Sequence, residues 1–175
     1  MVPAGVAAPA PSFGDARLPS GVRLHYVQQG PPTAPAVLML HGYTDSWYSF
    51  SRVLPLLPAD LRFIVPDQRG HGSSDRPAFA KATAGKPLSG YGMNDFADDA
   101  IQLMDVLGVK EATVVGHSFG SFVARRMATF VPTRVHRLVL VGAALFANNP
   151  GVAALRSEID RLTDPVDRRS SATSR

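Results

Sequence analysis

The sequence predicts an α/β fold with a mostly parallel sheet, and three observations lead to this prediction. Short runs typical of buried parallel strands lie at residues 36–40, 62–65 and 112–115, and they are apolar apart from Arg62 and Thr113. Asn94–Leu107 has the three-to-four spacing of an amphipathic helix and precedes the last of these runs. A Gly-x-Ser-x-Gly motif, Gly116–Gly120, follows that run directly and leads into a second helical pattern. Strands that alternate with helices in this way favour a parallel sheet covered on both faces.

The composition narrows the class of protein. A chain of 175 residues with 45% hydrophobic residues can form one domain with a substantial core. No apolar run is long enough to span a bilayer, so we expect no membrane segment. Eighteen basic and fourteen acidic residues leave a net charge of +4 without a basic stripe, which argues against a nucleic-acid partner. The chain has no cysteine, which removes disulfide and thiol chemistry and fits a cytoplasmic enzyme.

Shifts in composition divide the chain into three segments. Residues 1–12 are rich in Ala and Pro and lack Lys and Arg, which predicts a flexible tail and not a secretory signal. Residues 13–150 form the predicted core, in which residues 77–90 are a low-complexity insertion in a surface loop. Residues 151–175 contain one helical pattern and then an aberrant ending without apolar periodicity.

The remaining elements are predicted from local patterns. Alternation over Val22–Val27 predicts a strand that forms a hairpin with the preceding residues, turning at Pro19–Gly21. Ser46–Leu57 is typical of a short helix that closes at a proline. Val135–Gly142 predicts a sixth strand, and His136 enters it at the amino end.

Acidic residues gather in the first turns of the helix predicted at Asn94–Leu107. Carboxylates near a helix start are favoured by the helix dipole, so we expect a solvated helix start. A metal site built from paired carboxylates is the alternative for these residues.

Ser118 is the candidate nucleophile. Gly116 and Gly120 let the chain turn sharply between strand and helix, so the serine is expected in a strained backbone at the apex of the turn. Its hydroxyl then lies at the carboxyl edge of the sheet, beside a helix start that favours developing negative charge. The run at residues 36–40 delivers His41–Tyr43 to the same edge.

Three stretches, His41–Tyr43, Asp67–Ser74 and Gly116–Gly120, have the order and approximate spacing found in α/β-hydrolases, which the chain resembles over about Phe13–Pro150. The resemblance is to the branch of small serine esterases and haloperoxidase-like or perhydrolase-like enzymes. It implies a three-layer α/β/α sandwich, ending here after about the sixth strand. It also implies acyl transfer from a small carboxylic ester, thioester or lactone to water, with no metal and no organic cofactor. Serine at the elbow argues against haloalkane dehalogenase and epoxide hydrolase, whose covalent step uses a carboxylate.

The resemblance implies roles for the residues around the serine. Ser118 attacks the carbonyl, while the main-chain N–H groups of Tyr43 and Phe119 hold the oxyanion. His41 braces the loop after its strand and does not move protons. The other motif residues near the site are expected to be structural: Gly42, Gly116, His117 and Gly120.

Asp67 and Arg69 belong to a loop that lies beside the site in the family. The resemblance implies that they fix this loop by hydrogen bonds and an ion pair. A catalytic Asp67 is the alternative, and it would have to act through His71, the only nearby histidine in sequence.

The catalytic acid and histidine of the family follow the serine in chain order. No histidine occurs after His136, and the late acids lie where a cap would begin: Glu158, Asp160, Asp164 and Asp167. We therefore expect the N-terminal part of a hydrolase, without its acid and histidine. The sixth strand would then be an exposed hydrophobic edge. A non-catalytic remnant or binding module of the same fold is the alternative, and the oligomeric state stays open.

Overall fold

The computed structural model describes residues 9–77 and 90–143, which lie within one compact unit. Most of the predicted tail, nearly all of the insertion at residues 77–90 and the whole of residues 151–175 fall outside the described residues. The first strand begins at Ser12, one residue inside the segment predicted as a tail. Within the described residues, no helix has the length and apolar character needed to cross a membrane.

A six-stranded, mostly parallel sheet forms the centre of the fold. Its strands are β1 (Ser12–Arg17), β2 (Arg23–Gln29), β3 (Ala36–Leu40), β4 (Arg62–Pro66), β5 (Ala112–His117) and β6 (Val135–Val141). The order across the sheet is β1-β2-β4-β3-β5-β6. The first two strands form the predicted hairpin and β2 runs antiparallel to β4, while the other neighbouring pairs are parallel. The predicted α/β fold class is confirmed.

Alternate residues of the central strands point to opposite faces of the sheet, and each face carries its own core. Helices α1 (Met93–Val106) and α2 (Phe119–Phe130) cover one face. This core contains Leu38, Leu40, Ile64, Phe96, Leu103, Val114, Val123 and Met127. On the other face, Val37, Met39, Phe63 and Val65 pack with Leu54. The sheet therefore lies between two layers, as expected for a sandwich.

The segment after β3 differs from the single helix predicted over Ser46–Leu57. It forms two short 3₁₀ helices, Trp47–Phe50 and Leu54–Leu56. Its hydrogen bonds join residues three apart, such as the N–H of Leu56 and the carbonyl of Val53. Pro55 lacks an N–H group, so a continuous α-helix would lose a hydrogen bond there.

Strand β6 lies at the end of the sheet order, paired with β5 on one side. Three of its apolar side chains are exposed: Leu138, Val139 and Val141. An edge strand with exposed apolar residues is a template for pairing with another chain.

A lysine on this edge is expected to reduce association of the 175-residue chain. Val139 is 44% exposed, so Val139→Lys places a charge on the edge at small cost to folding. Sedimentation velocity over a concentration series should show less association for the variant than for the original chain. Val53→Lys is the matched control, because Val53 is 42% exposed but lies outside the sheet. Equal effects of the two substitutions, or no association of the original chain, would contradict the edge-strand interpretation.

Candidate active site

Ser118 occupies a strained turn between β5 and α2. Its backbone angles are φ 49° and ψ −113°, a region that non-glycine residues rarely adopt. The N–H of Ser118 donates to the carbonyl of Val141 at 2.9 Å, and its carbonyl accepts from the N–H of Ser121 at 2.9 Å. The residue is exposed. The turn therefore presents the hydroxyl-bearing side chain at the carboxyl end of β5.

The two glycines of the motif allow close backbone contact at this turn. A Cβ atom on Gly116 would collide with the main chain of Gly120. A Cβ atom on Gly120 would collide with the carbonyl of Leu40 at the end of β3. Only glycine fits either position without displacing backbone, so the elbow lies directly against β3.

The loop after β3 approaches the serine from the other side. A Cβ atom on Gly42 would lie 3.4 Å from the Cβ of Ser118 and 3.3 Å from Nδ1 of His117. Tyr43 and Phe119 follow Gly42 and Ser118 in the chain, and their rings are in edge contact at 5.9 Å between centroids. Among the described residues, neither the N–H of Tyr43 nor that of Phe119 has a hydrogen-bond acceptor. Within the described part of the chain, Tyr43 and Phe119 therefore each carry a main-chain N–H group that is free to donate a hydrogen bond.

His41 is fully buried, and both of its ring nitrogens are engaged. The N–H of Gln68 donates to Nε2 at 3.0 Å, so the ring proton lies on Nδ1, which donates to the carbonyl of Gly42 at 2.8 Å. The side-chain amide of Gln68 also donates to the carbonyl of His41 at 2.8 Å. Burial is the main reason why the pKa of His41 falls from 6.5 to about 4. The ring is therefore neutral and has no free nitrogen to accept a proton from Ser118.

Asp67 holds two loops together through main-chain donors. Its carboxylate accepts from the N–H of Trp47 at 2.7 Å and from the N–H of Ser73 at 2.8 Å. A Cβ atom on Gly72 would collide with this carboxylate, which explains the glycine at that position. Both carboxylate oxygens are committed to the loop, and neither is hydrogen-bonded to His71.

Arg69 is anchored to helix α1 and to the segment before it. Its guanidinium donates to the carboxylate of Asp99 at 2.6 and 2.7 Å and to the carbonyl of Gly90 at 2.8 Å. The acids of α1 were predicted to be solvated, which is wrong for Asp99, since this residue is 2% exposed. Burial raises the pKa of the Asp99 carboxyl, and the hydrogen bonds from Arg69 oppose that shift.

The helical period of the sequence already indicates that Asp99 is buried. Asp99 lies three residues after the buried Phe96 and directly before the buried Ala100, which places it on the inner face of α1. No group of three or more metal-ligating side chains occurs within residues 9–77 and 90–143, so the alternative metal site finds no support there.

The other histidines differ in their distance from the serine. His71 lies near the elbow, where its ring is 5.9 Å from that of Tyr43, and its Nδ1 donates to the carbonyl of Arg69 at 2.9 Å. His136 is exposed near the start of β6, and β5 and β6 are parallel, so it lies at the opposite end of the sheet from Ser118. His25 faces Asp15 at 3.3 Å across the β1–β2 hairpin, the only His–Asp hydrogen bond among the described residues.

The strand order, the serine elbow and the His41–Tyr43 loop after β3 together define a hydrolase-type α/β protein. Residues 35–168 match the family of the alpha/beta hydrolase fold, and the chain belongs to this family. The resemblance predicted from the three motifs is confirmed.

Epoxide hydrolases are prominent among the curated relatives. Bifunctional epoxide hydrolase 2 of Sus scrofa is 30% identical over 145 residues, which cover 82% of this chain and 24% of the relative. Epoxide hydrolase 3 of Siraitia grosvenorii is 33% identical over 134 residues, which cover 76% of this chain and 39% of the relative. The chain thus spans between a quarter and two fifths of the length of these relatives.

Solved structures give the same fold. An epoxide hydrolase from Vigna radiata, VrEH1, is 26% identical with a TM-score of 0.68, covering 85% of this chain and 46% of the solved chain. A hydrolase from Pseudomonas aeruginosa is also 26% identical, with a TM-score of 0.71, covering 85% of this chain and 52% of the solved chain. These similarities support a hydrolase and do not extend to the predicted ester substrate.

Gly120→Ala is expected to destabilise the chain by about 3 kcal/mol, the upper end of the range for overpacking. The added methyl group meets the backbone of β3, which cannot rotate away. Urea unfolding should measure this loss. Gly92→Ala is the matched control, since Gly92 is exposed with φ −74°, and it should cost less than about 1 kcal/mol. Similar losses in both variants would argue against the close contact with β3.

The lowered pKa of His41 should reduce the free energy of unfolding at acidic pH. The unfolded chain protonates His41 near pH 6.5 and the folded chain only near pH 4, so the unfolded state binds more protons between these values. The free energy of unfolding therefore rises from pH 4 to pH 6.5 and then levels, and His41 contributes about 3 kcal/mol of that rise.

The test compares unfolding free energies at pH 4.5 and pH 7 in three proteins. His41→Asn removes the titrating group and should flatten the difference, whatever its stability at pH 7. His136→Asn changes an exposed histidine and should keep the original difference. Identical pH differences in all three proteins would show that His41 does not set the acid sensitivity.

Proposed function

We propose that this chain carries the nucleophile and the oxyanion site of a serine hydrolase that acts on carboxylic esters, thioesters or lactones. One observation carries the proposal: an exposed serine in a strained turn between two motif glycines, beside the main-chain N–H groups of Tyr43 and Phe119, which have no acceptor among the described residues. Strain of this kind is maintained where it presents a reactive group. The family membership supports the hydrolase class.

The proposed oxyanion donors are the N–H groups of Tyr43 and Phe119. Phe119 is the first residue of α2, so its N–H has no partner within the helix and adds to the positive end of the dipole. Donors aimed at developing negative charge are among the largest contributions to acyl-transfer catalysis. Both donors are main-chain groups, so they persist when the side chains change.

The proposed reaction forms and breaks bonds in two stages. The oxygen of Ser118 bonds to the carbonyl carbon while its proton passes to a base, and the alcohol then leaves with that proton. Water next adds to the acyl group, which releases the acid and restores the serine hydroxyl. The arrangement of the described histidines provides no Asp–His pair facing Ser118, because the one hydrogen-bonded pair lies on the β1–β2 hairpin. Complete turnover therefore requires a hydrogen-bonded base and acid near Ser118, and the described residues do not supply such a pair.

Epoxide opening is the second candidate, because both curated relatives described above bear that name. A serine that opened an epoxide would form an ether, which has no carbonyl for water to attack. A carboxylate nucleophile would instead form an ester that water can hydrolyse. The chemistry of Ser118 therefore favours an acyl substrate over an epoxide.

Ser118→Ala should abolish covalent labelling of the chain by a fluorophosphonate probe, because the substitution removes the only proposed nucleophile. Intact-protein mass spectrometry measures the added mass, and peptide mapping places it. Ser20→Ala is the matched control, since Ser20 is an exposed serine in the β1–β2 turn and should leave labelling unchanged. Release of one equivalent of p-nitrophenol from p-nitrophenyl acetate, from acylation alone, should follow the same pattern, and styrene oxide should not be hydrolysed.

Two outcomes would overturn the proposal. Absence of label on Ser118 in the folded original chain would support the non-catalytic binding module. Hydrolysis of styrene oxide that depends on Ser118 would support the epoxide substrate class instead.

A further inference from the structure

Three aromatic side chains form a surface beside Ser118, which we call the aromatic wall: Tyr43, His71 and Phe119. The wall belongs to the site because Phe119 follows Ser118 and Tyr43 follows Gly42, whose backbone abuts the serine. Tyr43 is 41% exposed, while His71 and Phe119 are partly exposed. A molecule bonded to Ser118 thus has aromatic rings next to it.

Each ring of the wall contacts the other two. Tyr43 is in edge contact with Phe119 and with His71, at 5.9 Å between centroids in both cases. His71 is stacked near Phe119 at 6.5 Å and 30°. Edge-to-face and offset contacts are the preferred arrangements of aromatic pairs.

Buried aromatic side chains support two rings of the aromatic wall. The buried ring of Phe96 packs edge-on against Phe119 at 4.9 Å, and the buried ring of His41 packs against His71 at 5.1 Å. The Nδ1 of His71 is tied to the carbonyl of Arg69. Because these contacts preset the ring orientations, a ligand ring would lose little of its binding energy to ordering the protein.

The charged groups closest in sequence to the wall are Asp45 and Arg69, each two residues from one of its rings. The guanidinium of Arg69 pairs with Asp99, and the carboxylate of Asp67 accepts from two main-chain N–H groups. Arg69 is therefore not available to an anionic substrate, whereas the carboxylate of Asp45 accepts only the N–H of Ser46, at 2.8 Å, among the described residues.

We propose that the substrate is an ester whose acyl group carries an aromatic ring; this rests on the proposed function of Ser118. The acyl group stays bonded to the serine after the alcohol has left, with its oxygen at the Tyr43 and Phe119 amides. The rings of those same residues are thus the surfaces that an acyl substituent contacts. A favourable aromatic contact adds to the binding that burial of apolar area alone would give.

Two fluorophosphonates of equal size test the proposal, one with a benzyl group and one with a cyclohexylmethyl group on phosphorus. Phosphorus bonds to the serine oxygen and fluoride leaves, so labelling needs no second stage. We expect Ser118 of the original chain to react about tenfold faster with the benzyl probe, as two ring contacts would give. Using the ratio of the two rates within each protein cancels differences in intrinsic serine reactivity.

Tyr43→Leu and Phe119→Leu remove one ring each and keep the main-chain N–H groups. Each should lower the rate ratio toward one, and the second variant keeps the test decisive if the first fails to fold. Tyr48→Leu is the matched control, because Tyr48 is 69% exposed and its described ring contact is with Trp47 alone; it should keep the tenfold ratio.

The outcomes separate this proposal from the one on which it rests. Equal rates for the two probes on Ser118, or a ratio that Tyr43→Leu and Phe119→Leu leave unchanged, would overturn the aromatic preference alone. No reaction of either probe at Ser118 would overturn the serine hydrolase and the aromatic preference together.

Discussion

The contact between the serine elbow and the end of β3 is the constraint on which the site depends. Gly120 lies so close to the carbonyl groups of Leu40 and His41 that a side chain there has no room. This contact sets the distance between the two loops that carry Ser118 and Tyr43. Since β3 and β5 are neighbouring parallel strands, both loops leave the sheet at the same edge. The pairing of two strands thus determines which main-chain donors lie near the serine.

The loop after β4 supports this arrangement through three consecutive residues, each with a different partner. Asp67 accepts from the N–H of Trp47 in the segment after β3, Gln68 donates to His41, and Arg69 pairs with Asp99 on α1. Hydrogen bonds of a buried carboxylate or guanidinium are costly to break, because the group left behind stays desolvated. A short polar sequence next to the site thereby connects both faces of the sheet to the loop that bears Tyr43.

Much of the fold could be predicted from the sequence, since β3 and β5 are continuous apolar runs and α1 has a clear helical period. The motif at Gly116–Gly120 also located the strained serine. The segment at Ser46–Leu57 was harder, because helical spacing cannot reveal that Pro55 and tertiary contacts favour two 3₁₀ turns. Asp99 was interpreted from its charge as solvated, and its burial depends on Arg69, thirty residues earlier in the chain. The helical period places Asp99 on the inner face of α1, but no local pattern identifies a partner so distant in sequence.

The hydrogen bond from Arg69 to the carbonyl of Gly90 affects how much the chain length between residues 77 and 90 can change. Gly70 donates to the carbonyl of Asp75 at 2.9 Å, and Arg69 holds the carbonyl of Gly90, so the chain is fixed shortly before residue 77 and again at residue 90. Added chain length between two fixed points costs only about 0.6 kcal/mol for each doubling. Insertions or deletions between residues 77 and 90 should therefore leave the edge of the sheet that carries Ser118 unchanged.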